Sequence, residues 1–174
     1  MLRGVIALSR AVFPAGVGAP FIDALARAPI WADGIDYGHG TGHGVGCQLH
    51  VHEAPQRIAF RSRVSAQNVI EEGMITSVEP GIYRPGKWGV RIENLVLAQP
   101  AVKTEFGSFL RFETVTLCPI DLRCIDLGLL HADEIAWLDA YHAEVRRRLR
   151  PLLDGAALSW MLARTESAGK QPAA

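Results

Sequence analysis

Three short stretches of this 174-residue chain hold side chains whose types and spacing could do chemistry. The first is Tyr37-Gly-His-Gly-Thr-Gly-His43-Gly-Val-Gly, in which glycine alternates with His39, Thr41 and His43. In an extended chain that alternation presents all three side chains on one face. Glycine at such density lets the backbone come close to a ligand or take angles denied to other residues. The glycines do not fall as a dinucleotide GxGxxG, and His52-Glu53 lacks the second histidine of HExxH. A glycine loop with incidental histidines is the plain alternative. The second stretch is Ser77-Val-Glu79-Pro-Gly, with a carboxylate at the end of an apolar strand. Burying it costs free energy unless it is paired or bound to a cation; otherwise it must reach solvent. The third is Arg91-Ile-Glu93-Asn, where Glu93 sits between Ile92 and Leu95 with Arg91 two positions earlier on the same face. Either the two form a buried salt bridge, or Glu93 is a metal ligand with Arg91 beside it. One histidine and two glutamates on adjoining strands make a hard, oxygen-rich donor set. That set favours manganese, iron, cobalt or zinc acting on water over a structural thiolate zinc.

The elements that must position these residues are visible as changes of texture. Val5, Ile6, Leu8, Val12 and Phe13 predict a helix from Leu2 to Phe13 that stops at Pro14. Phe21, Ile22 and Leu25 predict a short second helix over Pro20–Arg27. Six glycines from Gly34 to Gly46 exclude a helix or an ordinary strand there. Strand character follows over Met74–Val78, Val90–Ala98 and Leu110–Leu117, and the Pro-Gly turns between Pro80 and Gly86 predict that the first two are neighbours. Asp133–Leu149 is the strongest helix: apolar residues recur at Ile135, Leu138, Tyr141, Val145 and Leu149, acids open it and arginines close it. A shorter helix is expected over Ala156–Ala163, then a polar tail from Thr165. Antiparallel strands with helices before and after argue for an α+β domain.

Bulk properties narrow the function. The 18 basic and 18 acidic residues cancel to a net charge of +0, so no global positive field favours nucleic acid. The run Arg146, Arg147, Arg148, Arg150 reads as the cationic end of a helix. No apolar stretch approaches the roughly 20 residues that cross a bilayer, and Met1–Arg10 lacks the order of a signal peptide. The three cysteines, Cys47, Cys118 and Cys124, form no CxxC pair and no disulfide framework. A cytoplasmic chain without nucleic-acid or membrane partners is expected.

The ordered series HGTGHGVG, VHE, SVEPG and RIEN resembles the peptidase family that contains methionine aminopeptidase, prolidase and aminopeptidase P. With FLRFETVTLCPID and the terminal helix pair, it is most similar to the C-terminal part of the long, cytosolic-type Xaa-Pro aminopeptidases, and the resemblance runs to about Glu166. It implies a pita-bread (creatinase/aminopeptidase) fold, a curved antiparallel sheet flanked by helices. It implies residues 1–119 as part of the metallopeptidase domain, 120–166 as a C-terminal helical extension and 167–174 as a disordered tail. It also implies two divalent metals, usually Mn2+, with Zn2+ or Co2+ as alternatives, bridging a hydroxide that attacks a peptide bond preceding proline. By position, His43 matches the histidine metal ligand, Glu79 a glutamate that binds metal and serves as general acid or base, and Glu93 the bridging glutamate. His39 and His52 match the histidines that line the substrate site, and Arg91 a residue that orients the carboxylates. His50 matches no role and is left as a rim histidine. The resemblance also allows for a homodimer through Leu110–Leu149.

The same family completes its metal site with two aspartates in a DxG…DxTRT motif, which this sequence lacks. Asp23, Asp33 and Asp36 have neither that context nor strand character. Met1 falls where the first long helix of the family's C-terminal half begins, so a truncated enzyme, weak or inactive alone, is expected. A non-catalytic peptide- or protein-binding module is the competing reading. Retention of His39, His43, His52, Glu79 and Glu93 favours the enzyme.

Overall fold

The computed structural model describes residues 1–48 and 50–170. In chain order these form α1 (Leu2–Ser9), β1 (Val12–Pro14), α2 (Ala19–Trp31), β2 (Gly42–Gly44), β3 (Glu53–Ile58), β4 (Ile75–Val78), β5 (Gly81–Arg84), β6 (Trp88–Arg91), β7 (Asn94–Thr104), β8 (Gly107–Thr114), α3 (Ala132–Leu149) and α4 (Gly155–Arg164). Among the described residues the chain divides into two units, Met1–Thr116 and Leu117–Ala174, of which 171–174 lie outside the description.

In the first unit, six strands form one sheet in the order β1-β8-β7-β4-β2-β3, every pairing antiparallel. The strands β5 and β6 make a separate hairpin. Side chains alternate along the central β7: Asn94, Val96 and Ala98 are buried and their neighbours are half-buried, as a sheet covered on one face requires. Val5, Ile6 and Leu8 of α1 and Ile22, Ala26 and Ile30 of α2 are buried with Val78, Leu110 and Phe112. Each large aliphatic residue so buried contributes about 1.5–3 kcal/mol. Phe13 of β1 and Phe112 of β8 meet with ring centroids 5.0 Å apart.

The first helix is shorter than its periodicity predicts. It ends at Ser9, and Val12, Phe13 and Pro14 pair with Arg111, Leu110 and Phe109 as an edge strand. Phe13 is buried in the strand, and the sheet supplies ladder partners that a helix extended to Phe13 would forgo. The second helix is longer than predicted and runs through Pro29 to Trp31. The predicted Val90–Ala98 strand is two strands, because the chain leaves β6 at Arg91 and enters β7 at Asn94. The expected neighbours do pair, Ile75 with Leu97 through Val78 with Asn94, but the β5–β6 hairpin lies between them in sequence.

In the second unit α3 and α4 fall where the periodicity places them. Glu134 Oε2 accepts the His131 N–H at 2.8 Å, capping α3. Leu138, Tyr141, His142, Val145 and Met161 form its core. The arginine run is structural: Arg146 donates to the Leu162 carbonyl at 2.8 Å and the Thr165 hydroxyl at 3.0 Å, while Arg147 and Arg148 pair with Glu144. Beyond α4, Asp139 accepts the Ser167 hydroxyl at 2.8 Å and the Ala168 N–H at 2.7 Å, and Ala168–Lys170 closes a 3-10 turn.

Candidate functional site

The glycine-rich segment is held from below by α2. Arg27 is 1% exposed, and its guanidinium donates to Asp23 at 2.8 Å, Asp36 at 2.6 Å, the Tyr37 carbonyl at 2.9 Å and the His39 carbonyl at 2.6 Å. It also lies 3.8 Å over the Tyr37 ring. Asp23, fully buried, accepts the Thr41 hydroxyl and, at 2.7 Å, the Phe60 N–H. Thr41 in turn meets the Tyr37 hydroxyl, and burial pushes that phenol up to about 12. The Thr41 carbonyl then accepts the Glu79 N–H at 2.7 Å. A buried hydrogen-bonded column therefore runs from the core of α2 to the backbone of Glu79. It accounts for Asp23 and Asp36, whose carboxylates are both taken by Arg27.

Alternation does not carry Thr41 to the same face as the histidines, because regular strand begins only at Gly42. His39 and His43 line a cleft, whereas Thr41 points into the core. The narrow β2 needs its glycines: a Cβ on Gly42 would collide with the Ser77 carbonyl, and one on Gly44 with the Glu53 carbonyl.

Glu79 is the centre of the site. It is 8% exposed. Its Oε1 accepts the Ser77 hydroxyl at 3.0 Å and lies 3.0 Å from His43 Nε2, while Oε2 accepts Arg91 Nη1 at 3.0 Å. Ser77 also accepts the His43 N–H at 3.0 Å, so one hydroxyl sets the spacing of both residues. His43 Nδ1 lies 2.9 Å from the Gly44 carbonyl, which can only accept, so Nδ1 carries the hydrogen and donates this bond. That leaves Nε2 facing Oε1 in one of two states: as a second N–H of an imidazolium, or as a lone pair sharing a cation with the carboxylate.

Around this pair, His52 stacks against His43 with centroids 4.4 Å apart. His39 donates from Nδ1 to the Gly40 carbonyl at 2.7 Å, leaving Nε2 to accept from the Tyr83 hydroxyl at 2.9 Å. Tyr83 accepts Arg91 Nε at 2.9 Å. That bond is the main reason the Arg91 pKa is raised, with the charges of Glu79 and Glu93 adding to it. His39, His43, His52, Glu79 and Arg91 all line one cleft of about 490 Å³. Tyr83, bonded to His39 and Arg91 but outside the cleft lining, is the neighbour that sequence reasoning missed; its only signal is its place four residues after Glu79 at the start of a turn-rich hairpin.

Glu93 is not gathered with them. It lies exposed in the unpaired connection between β6 and β7, with no hydrogen bond among the described residues. Among those residues no three His, Cys, Asp or Glu side chains are grouped so as to hold a metal. His50 stays at the rim, exposed and 3.4 Å from Glu53. The Arg91–Glu93 salt bridge does not form; Arg91 pairs with Glu79.

Residues 1–100 match metallopeptidase family M24. The chain belongs to that family. Residues 108–168 match the C-terminal region of peptidase M24. A probable Xaa-Pro aminopeptidase P of Laccaria bicolor is 48% identical over 92% of the chain, and aminopeptidase P1 of Lotus japonicus 45% identical over 97%. The X-prolyl aminopeptidase of Caenorhabditis elegans, a cytosolic enzyme with a di-nuclear active site, superposes with a TM-score of 0.85 at 36% identity over 95% of the chain. The chain accordingly forms part of the pita-bread fold of the M24 peptidases. The chain spans 26% of the length of each of the two curated relatives and 27% of the nematode structure. Among the described residues no helix is long and apolar enough to cross a membrane.

Proposed function

We propose that this chain forms the histidine–glutamate side of a dinuclear-metal aminopeptidase site that removes the residue preceding a proline. The observation that carries this reading is the His43–Glu79 pair, held at 3.0 Å by a shared Ser77 hydroxyl and flanked by Arg91. The donors are hard, and the tautomer that hydrogen bonding to Gly44 imposes on a neutral His43 leaves Nε2 for a cation. His43, Glu79 and Glu93 are the proposed ligands. Glu93 supplies a carboxylate with no competing partner, which would have to swing onto the cation. Manganese is the favoured metal, with zinc or cobalt as substitutes. A metal held by these residues would supply Lewis acidity toward the scissile carbonyl and toward water.

The protein's own groups do the rest. Glu79 accepts the proton released by the attacking water and returns it to the leaving proline nitrogen. Arg91 keeps that carboxylate oriented. His52 sits beside it as a donor to the oxygen that gains charge at the tetrahedral stage, while His39, its ring fixed by Gly40 and Tyr83, lines the substrate site and positions the peptide. The further proposal is that residues 1–119 belong to the catalytic domain and 120–166 to a helical extension. The cytosolic nematode relative supports a cytoplasmic setting. A homodimer through Leu110–Leu149 remains part of the proposal.

Three donors hold a dinuclear centre incompletely, so these 174 residues alone are expected to turn over an Xaa-Pro peptide weakly or not at all. The test is manganese-dependent release of alanine from Ala-Pro-Ala. The chain is assayed alone and joined to the aspartate-bearing segment of a relative. Restoration of turnover in the joined form, lost again on Glu79→Gln, supports the reading. A joined form that binds the peptide without cleaving it supports a non-catalytic binding module instead.

A further inference from the structure

Arg57 stands directly opposite His43 in the β2–β3 ladder. Opposed residues of an antiparallel pair project to the same face with Cβ atoms about 4.5–5.5 Å apart, and both side chains line the same cleft. The backbone beneath Arg57 is fixed. Its N–H donates to Asn68 Oδ1 at 2.7 Å, and Gln56 next to it is buried and bonded to the Ile75 carbonyl and the Thr76 hydroxyl, both at 3.1 Å. The guanidinium extends over Gly40, with Nε 3.7 Å from the point where a Cβ on that residue would stand.

The other charged or titratable groups facing the cleft are His39, His43, His52, Glu53, Glu79 and Arg91. Glu79 is engaged by Arg91, Ser77 and His43, and Glu53 lies beside His50. Arg91 is held by Glu79 and Tyr83. The Arg57 guanidinium has no hydrogen-bond or ion-pair partner among the described residues. It is a planar, permanently charged fork on a rigid strand, positioned beside the proposed reaction centre, with its donors open. That is the equipment for bidentate recognition of a carboxylate.

We propose that Arg57 is a specificity-determining residue whose guanidinium receives a carboxylate of the bound peptide, one or two residues beyond the scissile bond. The inference rests on the peptide-site reading above. An extended peptide advances about 3.3–3.6 Å per residue, so a carboxylate that far along lies within reach of an arginine rooted one strand spacing, about 4.8 Å, from His43. The carboxylate comes from the C-terminus of a short peptide or from an acidic side chain. Both present the same two oxygens.

The test titrates the manganese-loaded chain, by calorimetry, with Ala-Pro-Ala as the free acid, with its C-terminal amide, and with Ala-Pro-Asp amide. Wild type, Arg57→Gln and Arg57→Lys are compared, their thermal unfolding being matched first. Wild type is expected to bind a carboxylate-bearing peptide about tenfold or more tighter than the neutral amide. Arg57→Gln removes that preference while leaving the neutral amide within about twofold, and Arg57→Lys keeps part of it as a point charge. A preference for the free acid alone names the C-terminus as the source, and one for Ala-Pro-Asp amide alone names the side chain. Equal binding of all three peptides by wild type, or a preference that survives Arg57→Gln, overturns the role of Arg57. Failure of wild type to bind any of them overturns the peptide-site reading and this inference with it.

Discussion

Replacing Arg27 by methionine tests whether the buried column beneath the site does the work its geometry implies. The substitution nearly conserves the length of the side chain and its burial. It removes four donated hydrogen bonds, to Asp23, Asp36 and the carbonyls of Tyr37 and His39. Asp23 is then left fully buried with only the Thr41 hydroxyl and the Phe60 N–H as donors. Stranding one member of a buried ion pair costs about 3–5 kcal/mol. For a chain of this size each kcal/mol corresponds to roughly 2–4 °C of melting temperature, so Arg27→Met is expected to lower it by about 6–20 °C. Arg27→Lys keeps the charge and loses the fork, and should fall between the two. The measurement is thermal or urea unfolding followed by circular dichroism. A loss below about 1 kcal/mol for Arg27→Met would refute the claim that this guanidinium organises the segment from Asp36 to Thr41.

Further expectations follow from the site and the second unit. Ser77→Ala removes the hydroxyl shared by His43 and Glu79, and manganese affinity, read from the free-ion resonance signal, should drop by about 10–100-fold. Gly42→Ala drives a methyl group into the Ser77 carbonyl and should destabilise the first unit by about 1–3 kcal/mol in urea unfolding; a neutral result would mean that β2 shifts freely. His142 is fully buried with Nε2 accepting the Ile120 N–H at 3.1 Å, and burial holds its pKa below the ordinary value. The unfolded chain therefore binds this proton more readily than the folded one. The contribution of His142 is full above an unfolded pKa of about 6.5 and is lost as pH falls from there through the folded value, at up to about 1.4 kcal/mol per unit. His142→Gln should flatten the fall of stability between pH 7 and pH 5, and an unchanged slope would count against it.

What the sequence reveals of this fold depends on whether local pattern and tertiary context agree. In α3 they agree: the apolar stripe, acidic start and basic end all describe the helix that forms. Val12 and Phe13 satisfy a helical period equally well, and only the partner strand β8, distant in sequence, decides that they are extended. The strand β3, Glu-Ala-Pro-Gln-Arg-Ile, has no alternation to reveal it, because its register is set by contacts to the glycines of β2. At the candidate site, the grouping of His39, His43, His52, Glu79 and Arg91 in one cleft is what the ordered motifs and the family they resemble lead one to expect. Tyr83 is not part of that expectation, because a tyrosine in a turn-rich hairpin carries no signal until the hairpin brings the Arg91 guanidinium to its hydroxyl. Asp23 and Arg27 stand four apart on a helix, a spacing that suggests an ion pair. Nothing in the sequence says that the pair is buried under the glycine-rich segment. The position of Glu93 also escapes, since the break after Arg91 interrupts what reads as one apolar strand.

The central claim is that His43 and Glu79 are paired as donors to a divalent cation and are not simply an ion pair. Manganese titration of the chain, with His43→Ala, Glu79→Gln and the rim control His50→Ala, tests it most directly. The account predicts saturable binding that is lost in the first two variants and unchanged in the third. Absence of saturable binding, or binding that survives His43→Ala, would contradict it.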